Sequence, residues 1–376
     1  MKWLIIIPFL LLLFNIGYKF VEYKYFISHN QFIKAKIISQ YKKHNYWVLK
    51  LKNNKIEFYT TTKDDLKDIL NYQVETHIIT KNISFLDYLT KFYAPTFRLG
   101  LLPLPKYKQF ISSQHKNKYI SNIFNALFFG DSLYYETRKK LSTLGISHLF
   151  ALSGLHLAII SGFLYLIFTP IYNKLMPSYR NRNIDLGIFI LIVLFGYLYF
   201  VNFPPSLVRS FLMELIVFLL AFHLRDIFNI KVLLYTIIFS IVLFPNFIIN
   251  IGFFLSVMGV LFIFIFFEFT KSSKIAFILP FYLYIAMFII VHYFFGNFNY
   301  YQFLSPFISI IFTIFYPLEI ILHIFGYGGV LDNLIESYLN LGKESIMIYT
   351  PTWLFISYLV IIALIIKKVY FYNPQN

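Results

Sequence analysis

The sequence predicts a mainly α-helical, polytopic membrane protein of about eight transmembrane segments with amphipathic helices and a small β-rich extracytoplasmic domain. Three observations predict this class. The 376 residues are 59% hydrophobic and only 13% charged, where a soluble domain carries about a quarter charged residues. Long apolar blocks fill the chain from Ser147 onward. Between residues 22 and 90 the pattern changes to short β-branched and aromatic runs separated by polar turns.

The elements follow in order. Residues 1–21 begin with one Lys and then run apolar from Trp3 to Phe20. No small-x-small site follows, so they read as an uncleaved membrane anchor rather than a signal peptide. In the module 22–90, Phe32–Gln40, Tyr46–Lys52, Ile56–Thr61 and Gln73–Thr80 read as strands, and Asp64–Leu70 as one short helix. A small barrel of the oligonucleotide/oligosaccharide-binding (OB) type fits this size and pattern, as do other small β-domains. Residues 91–146 read as a connector. Its first part, 92–118, is irregular and basic, with Pro95, Pro103 and Pro105. Residues 119–143 form one or two amphipathic interfacial helices ending in Arg138-Lys139-Lys140.

Residues 147–370 form the polytopic part. Spans are expected near 148–170, 185–202, 206–223, 232–249, 252–269, 275–295, 303–325 and 352–367. Basic residues mark three cytoplasmic loops: Lys174, Arg180 and Arg182; Arg225 and Lys231; Lys271 and Lys274. The alternate loops 202–205, 245–250 and 296–302 carry no formal charge. This places the N-terminus inside and residues 22–146 outside. Lys367-Lys368 favour an internal C-terminus, which requires an even number of crossings after Lys274. The prolines at 306 and 317 therefore mark 303–325 as re-entrant or interfacial rather than spanning.

Polar side chains inside apolar helices are the functional candidates, because each costs several kcal/mol without a partner. His148, Ser153 and His156 fall within about two turns of one apolar stretch. If that helix is continuous, Ala151, Gly154, Ala158, Ser161 and Gly162 form a separate arc of small residues for close packing. A Ser–His hydrolase needs a Gly-x-Ser-x-Gly turn, which the Ala151 to Leu155 sequence lacks. Eight-residue spacing sets His148 and His156 about 80° apart with no adjacent carboxylate, which disfavours a metal site. The histidines either fix helix packing or line a conduit.

Arg209 lies one turn inside a helix starting at Pro204-Pro205, with Ser206 on the same side. A helix start beside a guanidinium suits phosphate. Glu214 is five residues on, on another face, so its partner belongs to another helix; His156 or His148 would serve. Glu319 and His323, four apart, can pair directly as a structural pair or a proton relay. In the β-rich module, Lys42, Lys43, Tyr46, Trp47 and Lys50, with Tyr41, His44 and Lys52 among them, interleave cations and rings. That suits single-stranded nucleic acid as well as an ordinary hairpin with a solvated rim. With no Cys, thiolate chemistry is excluded. No phosphate-binding Gly-x-x-x-x-Gly-Lys loop occurs. No cofactor, metal or catalytic residue is expected.

The motifs resemble the ComEC-type competence protein family. Gly130-Asp131-Ser132 is followed by a basic helix, then by Gly145-Ile-Ser-His148 and Ser153-Gly-Leu-His156. Pro204-Pro205-Ser206-x-x-Arg209-Ser-x-x-Met213 resembles the family's Pro-x-Ser-x-x-Arg segment. Pro245 and then Gly252-Phe253-x-Leu255-Ser256 resemble a third segment, with Phe254 where Gln is usual. Ser305-Pro306 and Tyr316-Pro317-Leu318 resemble a looser fourth. The resemblance implies a cytoplasmic-membrane channel that is not an enzyme and passes single-stranded DNA inward during natural transformation. Its expected partners are the strand, the bilayer, a DNA receptor, a cytoplasmic ATPase or helicase and a DNA-processing protein; homo-oligomers fit as well. It also implies an OB-like N-terminal domain. The sequence holds no His-x-His-x-Asp-His motif, so a short form without the family's metallo-β-lactamase-like nuclease domain is expected. The competing reading is a secondary transporter of a small anionic solute or lipid built on the Pro204-Pro205 break.

Overall fold

The computed structural model describes residues 3–29, 32–53, 56–64, 66, 68–176, 181–220, 230–270 and 277–368, apart from the side chains of 3–9, 29, 220, 231 and 343. Arg180, Arg225, Lys271 and Lys274, and the Lys231 side chain, lie outside this set. So do the end of the expected 206–223 span and the start of the 275–295 span. The chain divides into two compact units, Met1–Tyr134 with Ile241–Asn246, and Tyr135–Ser240 with Phe247–Asn376.

In the first unit, helix α1 (Trp3–His29) continues well beyond the expected anchor. Its last turns are amphipathic: Phe26 is buried against the sheet with Tyr23 and Ile27 beside it, and Tyr23 Oη donates to the Ile83 carbonyl at 2.8 Å. Strands β1 (Phe32–Lys43), β2 (Tyr46–Lys52), β3 (Glu57–Thr62) and β4 (Gln73–Ile78) form as alternation predicts. Ile37, Leu49, Leu51, Phe58 and Val74 point to one fully buried core. Residues 64–70 are not helical among those described; Asp68 is drawn out to pair with Lys118 at 2.7 Å.

Helix α2 (Phe85–Leu89) starts at Ser84, whose capping box with Asp87 satisfies the first free backbone N–H groups. Residues 92–102, expected to be irregular, are strands β5 (Phe92–Tyr93) and β6 (Thr96–Leu102). They are consecutive save for Ala94 and Pro95. β5 pairs parallel with β3, and β6 pairs antiparallel with β4. One bent segment thus lies beside both β3 and β4 and supplies the two outermost strands of the six-stranded sheet, in the order β5-β3-β2-β1-β4-β6. Proline hid this strand because it lacks a ladder donor; Pro95 sits at the bend, where its carbonyl still accepts from Ile79 N–H at 3.0 Å.

Helices α3 (Lys106–Ser113) and α4 (Lys118–Phe129) complete the unit. Asp131, directly after α4, is buried and accepts from Lys36 at 2.5 Å and Lys108 at 2.6 Å. Burial pushes the Lys108 ammonium below its ordinary range, and the Asp131 carboxylate opposes that shift. Asn71 bonds both the N–H and the carbonyl of Ser132 at 2.8 Å. The Gly-Asp-Ser motif is therefore a clasp between α4 and the sheet.

The second unit is helical: α5 (Tyr135–Thr143), α6 (Ser147–Phe150), α7 (Gly154–Leu175), α8 (Arg182–Phe200), α9 (Pro205–Leu220), α10 (Ile230–Leu243), α11 (Ile251–Thr270) and α12 (Leu279–Phe295). β7 (Asn297–Phe298), α13 (Ser305–Ile324), α14 (Asp332–Asn340), β8 (Ile346–Met347) and α15 (Thr352–Ile366) follow. Among the described residues, four stretches are long and apolar enough to cross a membrane: Gly154–Leu175, Arg182–Phe200, Ile251–Thr270 and Tyr300–Ile324. Leu233, Met258, Phe262, Ala286, Ile290 and Ile362 join α10, α11, α12 and α15 in one apolar core. This is a membrane protein, with apolar side chains outside as well as inside.

β7 pairs antiparallel with β8. Tyr293 stacks on Phe355 at 4.0 Å and Tyr358 Oη donates to the Ala286 carbonyl at 2.8 Å, so α12 and α15 run antiparallel from the ladder. The chain between the two strands therefore leaves and returns at one place. Helix α13 is unbroken: Pro306 occupies its first turn, where no donor is needed, and Pro317 lies within it. The return helix α14 is only about 14 Å long and includes Asp332 and Glu336, so it does not cross. Residues 299–345 therefore start and end beside one another at the β7–β8 ladder, while Tyr300–Ile324 within them is long and apolar enough to cross a membrane.

Two measurements check these features. Asp131→Ala leaves two lysines facing a buried void and is expected to cost about 3–5 kcal/mol in the first unit. Lys34→Ala, breaking the pair with Glu75 from an exposed side chain, is expected to cost under about 1 kcal/mol. Thermal unfolding followed by Trp47 fluorescence compares them. Because the chain has no Cys, Asn299→Cys and Glu344→Cys should react with an impermeant thiol reagent from the same side of the membrane; labelling from opposite sides contradicts the ladder.

Candidate functional site

The expected continuous helix 148–170 is broken. After α6 the chain is extended at Ala151 and Ser153, and α7 begins at Gly154. The break is chemical. Ser153 is the N-cap and His156 the N3 residue of a capping box, with His156 Nδ1 accepting from Ser153 N–H at 3.2 Å and lying 3.0 Å from Ser153 Oγ. The three-residue spacing of Ser-Gly-Leu-His is that of a helix cap. Nδ1 accepts the backbone N–H, so the ring proton resides on Nε2, which is buried with no hydrogen-bond partner among the described residues. The ring is fully buried and meets Phe312 and Tyr316 edge-on at 5.4 and 4.8 Å. No acid orients this Ser–His pair. His148 is exposed on α6, whereas His156 is buried.

The arc of small residues also breaks up. Ala151, Ala158 and Gly162 are exposed. Gly154 alone of them is closely approached: a Cβ there would lie 2.5 Å from Ser210 Oγ and 3.2 Å from the Arg209 guanidinium. Gly145 has φ +71°, and its carbonyl accepts from Ser305 Oγ at 3.0 Å while Gln302 covers its Cα. The fourth motif thus docks on the first.

Arg209 is 4% exposed. Its Nε donates to Ser256 Oγ at 2.7 Å, one Nη to Ser210 Oγ at 2.7 Å, and the other faces Met213 Sδ at 3.9 Å. Ser206 Oγ donates to the Leu152 carbonyl, and Ser210 Oγ to the Ser206 carbonyl at 2.9 Å. Among the described residues no carboxylate lies within ion-pair distance of Arg209. Glu214 accepts from Ser161 at 2.6 Å, rather than pairing with either histidine. The starts of α7, α9 and α11 meet here, where Asn250 Oδ1 caps α11 through Phe253 N–H at 3.0 Å. Three helix N-termini, each worth about half a positive charge, surround a guanidinium with no counter-charge. The centre is electropositive and has N–H donors to spare.

Sequence reasoning chose Ser206 and Arg209, and the structure brings them to Leu152, Gly154 and Ser210. The sequence marks Ser161 only as a small packing residue and singles out neither Ser210 nor the Tyr316 side chain. The signal for Ser210 was present as Ser206-x-x-x-Ser210, one turn apart in an apolar helix. In the first unit, Lys42 and Lys43 are exposed beside the His44 turn, with Tyr46 and Trp47 half-buried. Lys42 pairs with Trp47 and lies 5.9 Å over its ring, and Lys43 pairs with Tyr46 on the opposite face. Lys50 is tied to Glu57 and is not at the hairpin tip. The five residues therefore do not share one face.

Long apolar helices with buried polar motifs gathered at their starts mark an integral membrane protein. A family model described as Competence protein matches residues 127–368. The chain belongs to that family, the ComEC-type competence proteins. The family gives the protein a role in DNA uptake for competence, with DNA and other competence proteins as partners. No curated protein and no solved structure matches the chain.

The close approach at Gly154 is testable. Gly154→Ala is expected to push α7 off α9 and cost about 1–3 kcal/mol, whereas Gly162→Ala, with nothing within 4 Å of its new methyl, stays near neutral. Equal melting temperatures for the two purified variants would refute the contact.

Proposed function

We propose that the protein is an inner-membrane channel for single-stranded DNA entering the cytoplasm, with Arg209 as its phosphodiester contact. The observation that carries this reading is the buried guanidinium at three helix starts with no acid to neutralise it. A buried cation is costly, and nature ordinarily pairs it. An unpaired one set among helix N-termini suits an anion that comes and goes. The Ser210 and Ser256 hydroxyls hold the donors in the closed state, and phosphate oxygens replace them when a strand is present. His156 and Ser153 fix the start of α7 against Tyr316, so they are positioning residues for the conduit. His148, exposed on α6, is its mouth, and Glu214 with Ser161 keeps the far side of α7 packed on α9.

The first unit is proposed as an extracytoplasmic OB-like module, with residues 22–146 outside. Its six-stranded sheet, in which one bent segment pairs parallel with β3 and antiparallel with β4, supports this assignment. The exposed hairpin tip, with Lys42, Lys43, Tyr46 and Trp47, is proposed to receive the strand, and Lys50 to hold the hairpin through Glu57. Inward DNA moves its charge against an inside-negative potential at about 2.3 kcal/mol per charge per 100 mV, so a cytoplasmic ATPase or helicase supplies the pull. A DNA receptor delivers the strand and a DNA-processing protein receives it.

Arg209→Ala, inserted at wild-type level, is expected to lower arrival of labelled DNA in the cytoplasm at least about tenfold, since charge-assisted hydrogen bonds contribute about 1.5–3 kcal/mol each. Arg209→Lys keeps the charge but loses the fork and should retain partial function. Normal arrival in Arg209→Ala overturns the assignment. Loss of uptake of a small anion, with DNA entry intact, would favour the transporter reading instead.

A further inference from the structure

One face of α13 holds an ionisable pair that the strand-binding centre does not use. Glu319 is 0% and His323 2% exposed. His323 Nδ1 lies 2.7 Å from the Glu319 carbonyl and 3.3 Å from its Oε2. Neither carboxylate oxygen has a hydrogen-bond partner among the described residues. Gly328, in the turn after α13, abuts the imidazole so closely that any side chain there would strike it. A purely structural buried carboxylate normally has its oxygens bonded. One that is buried at membrane depth, unbonded and next to an imidazole is arranged to gain and lose a proton.

The pair also has a connection. Phe312, Tyr316, Glu319 and His323 form one buried stripe on α13. Tyr316 meets His156, the cap of α7, and shares a hydrogen bond with Tyr197 of α8. The titratable groups that the packed elements bring to this stripe are thus His156 from α7, Tyr197 from α8 and Tyr316 on α13 itself, with buried Asp332 opening α14 beyond Gly328. The opposite side of α13 exposes Ile310, Ile311, Ile314 and Ile324. No lysine or arginine of the described residues lies within ion-pair distance of Glu319.

We propose that Glu319 and His323 form a proton-binding site whose loading is coupled to strand movement through the His156–Tyr316 contact. A hydronium ion gives its proton to Glu319 Oε2: one hydronium O–H bond breaks as the carboxyl O–H bond forms, leaving water. On the cytoplasmic side the carboxyl O–H bond breaks as a water molecule takes the proton and becomes hydronium, with no change of oxidation state. One positive charge carried inward offsets one phosphate, which is the opposing term in the transport energetics. The coupling rests on the channel reading; the proton site itself does not.

The experiment uses the purified full-length protein and needs no DNA. Infrared difference spectra between about pH 5 and 9 are expected to show a protonated-carboxyl C=O band that titrates, disappears in Glu319→Gln and shifts its midpoint in His323→Gln. A band that is absent, or unchanged by Glu319→Gln, overturns the site. Glu319→Asp serves if the Gln variant does not fold. For the coupling, cells with well-inserted Glu319→Gln should import labelled DNA no better than cells lacking the protein. Glu319→Asp keeps a carboxyl, so its import should persist in part and still respond to dissipating the pH gradient. Wild-type import by Glu319→Gln overturns the coupling while leaving Arg209 untouched. Conversely, Arg209→Ala should abolish import and keep the infrared titration, so failure of the channel reading is seen separately.

Discussion

Arg209 is the interaction on which the helical unit depends. A guanidinium at membrane depth without an acid must be held by dipoles, and the chain supplies them from three directions: Ser210 on its own helix, Ser256 on α11, and the starts of α7 and α9 around it. For this to work, the backbone of α7 has to come within reach of α9, which only Gly at position 154 permits. The Ser206 hydroxyl then ties α9 to the Leu152 carbonyl just before the cap. Removing any one of these would leave a charge or a carbonyl unsatisfied in a low-dielectric interior, where that is most costly.

The same economy explains the capping box. A helix that starts inside an apolar bundle cannot give its first N–H groups to water, so Ser153 and His156 take them. His156 is then free to use its ring faces for packing, and it couples α7 to α13 through Tyr316 and Phe312. Each motif of the family thereby has a physical job: the Gly-Asp-Ser segment clasps α4 to the sheet, Gly145 receives Ser305, Ser-Gly-Leu-His caps, Ser-x-x-Arg supplies charge, and Ser256 shares its load.

On α13, both Glu319 carboxylate oxygens are buried without a hydrogen-bond partner among the described residues. That helix lies in a segment whose two ends the β7–β8 ladder fixes at one place. Its apolar side is exposed and its polar side buried, the reverse of a water-soluble helix, as expected where lipid is the solvent. Glu319 and His323, the proposed proton site, lie on that inner side.

Much of this was legible in the sequence because the governing rules are local. Composition and apolar block length depend on neither packing nor partners, so the membrane class, β1 to β4 and the apolar helices could be read directly, as could the pairing of Glu319 with His323 four residues on. Tertiary structure decided what depends on residues far apart in the chain. The strand at 92–102 was hidden by Pro95 because only its pairing with β3 and β4 shows that the bend needs no donor. The break before Gly154 was hidden because a cap inside an apolar run has no change of hydropathy to mark it. Whether Arg209 met an acid could not be known from spacing, since its nearest glutamate in sequence turns instead to Ser161 on α7. Hydropathy determined which segments enter the membrane; close approach between helices determined which polar groups meet there, because contact between distant segments leaves no periodic trace in either one.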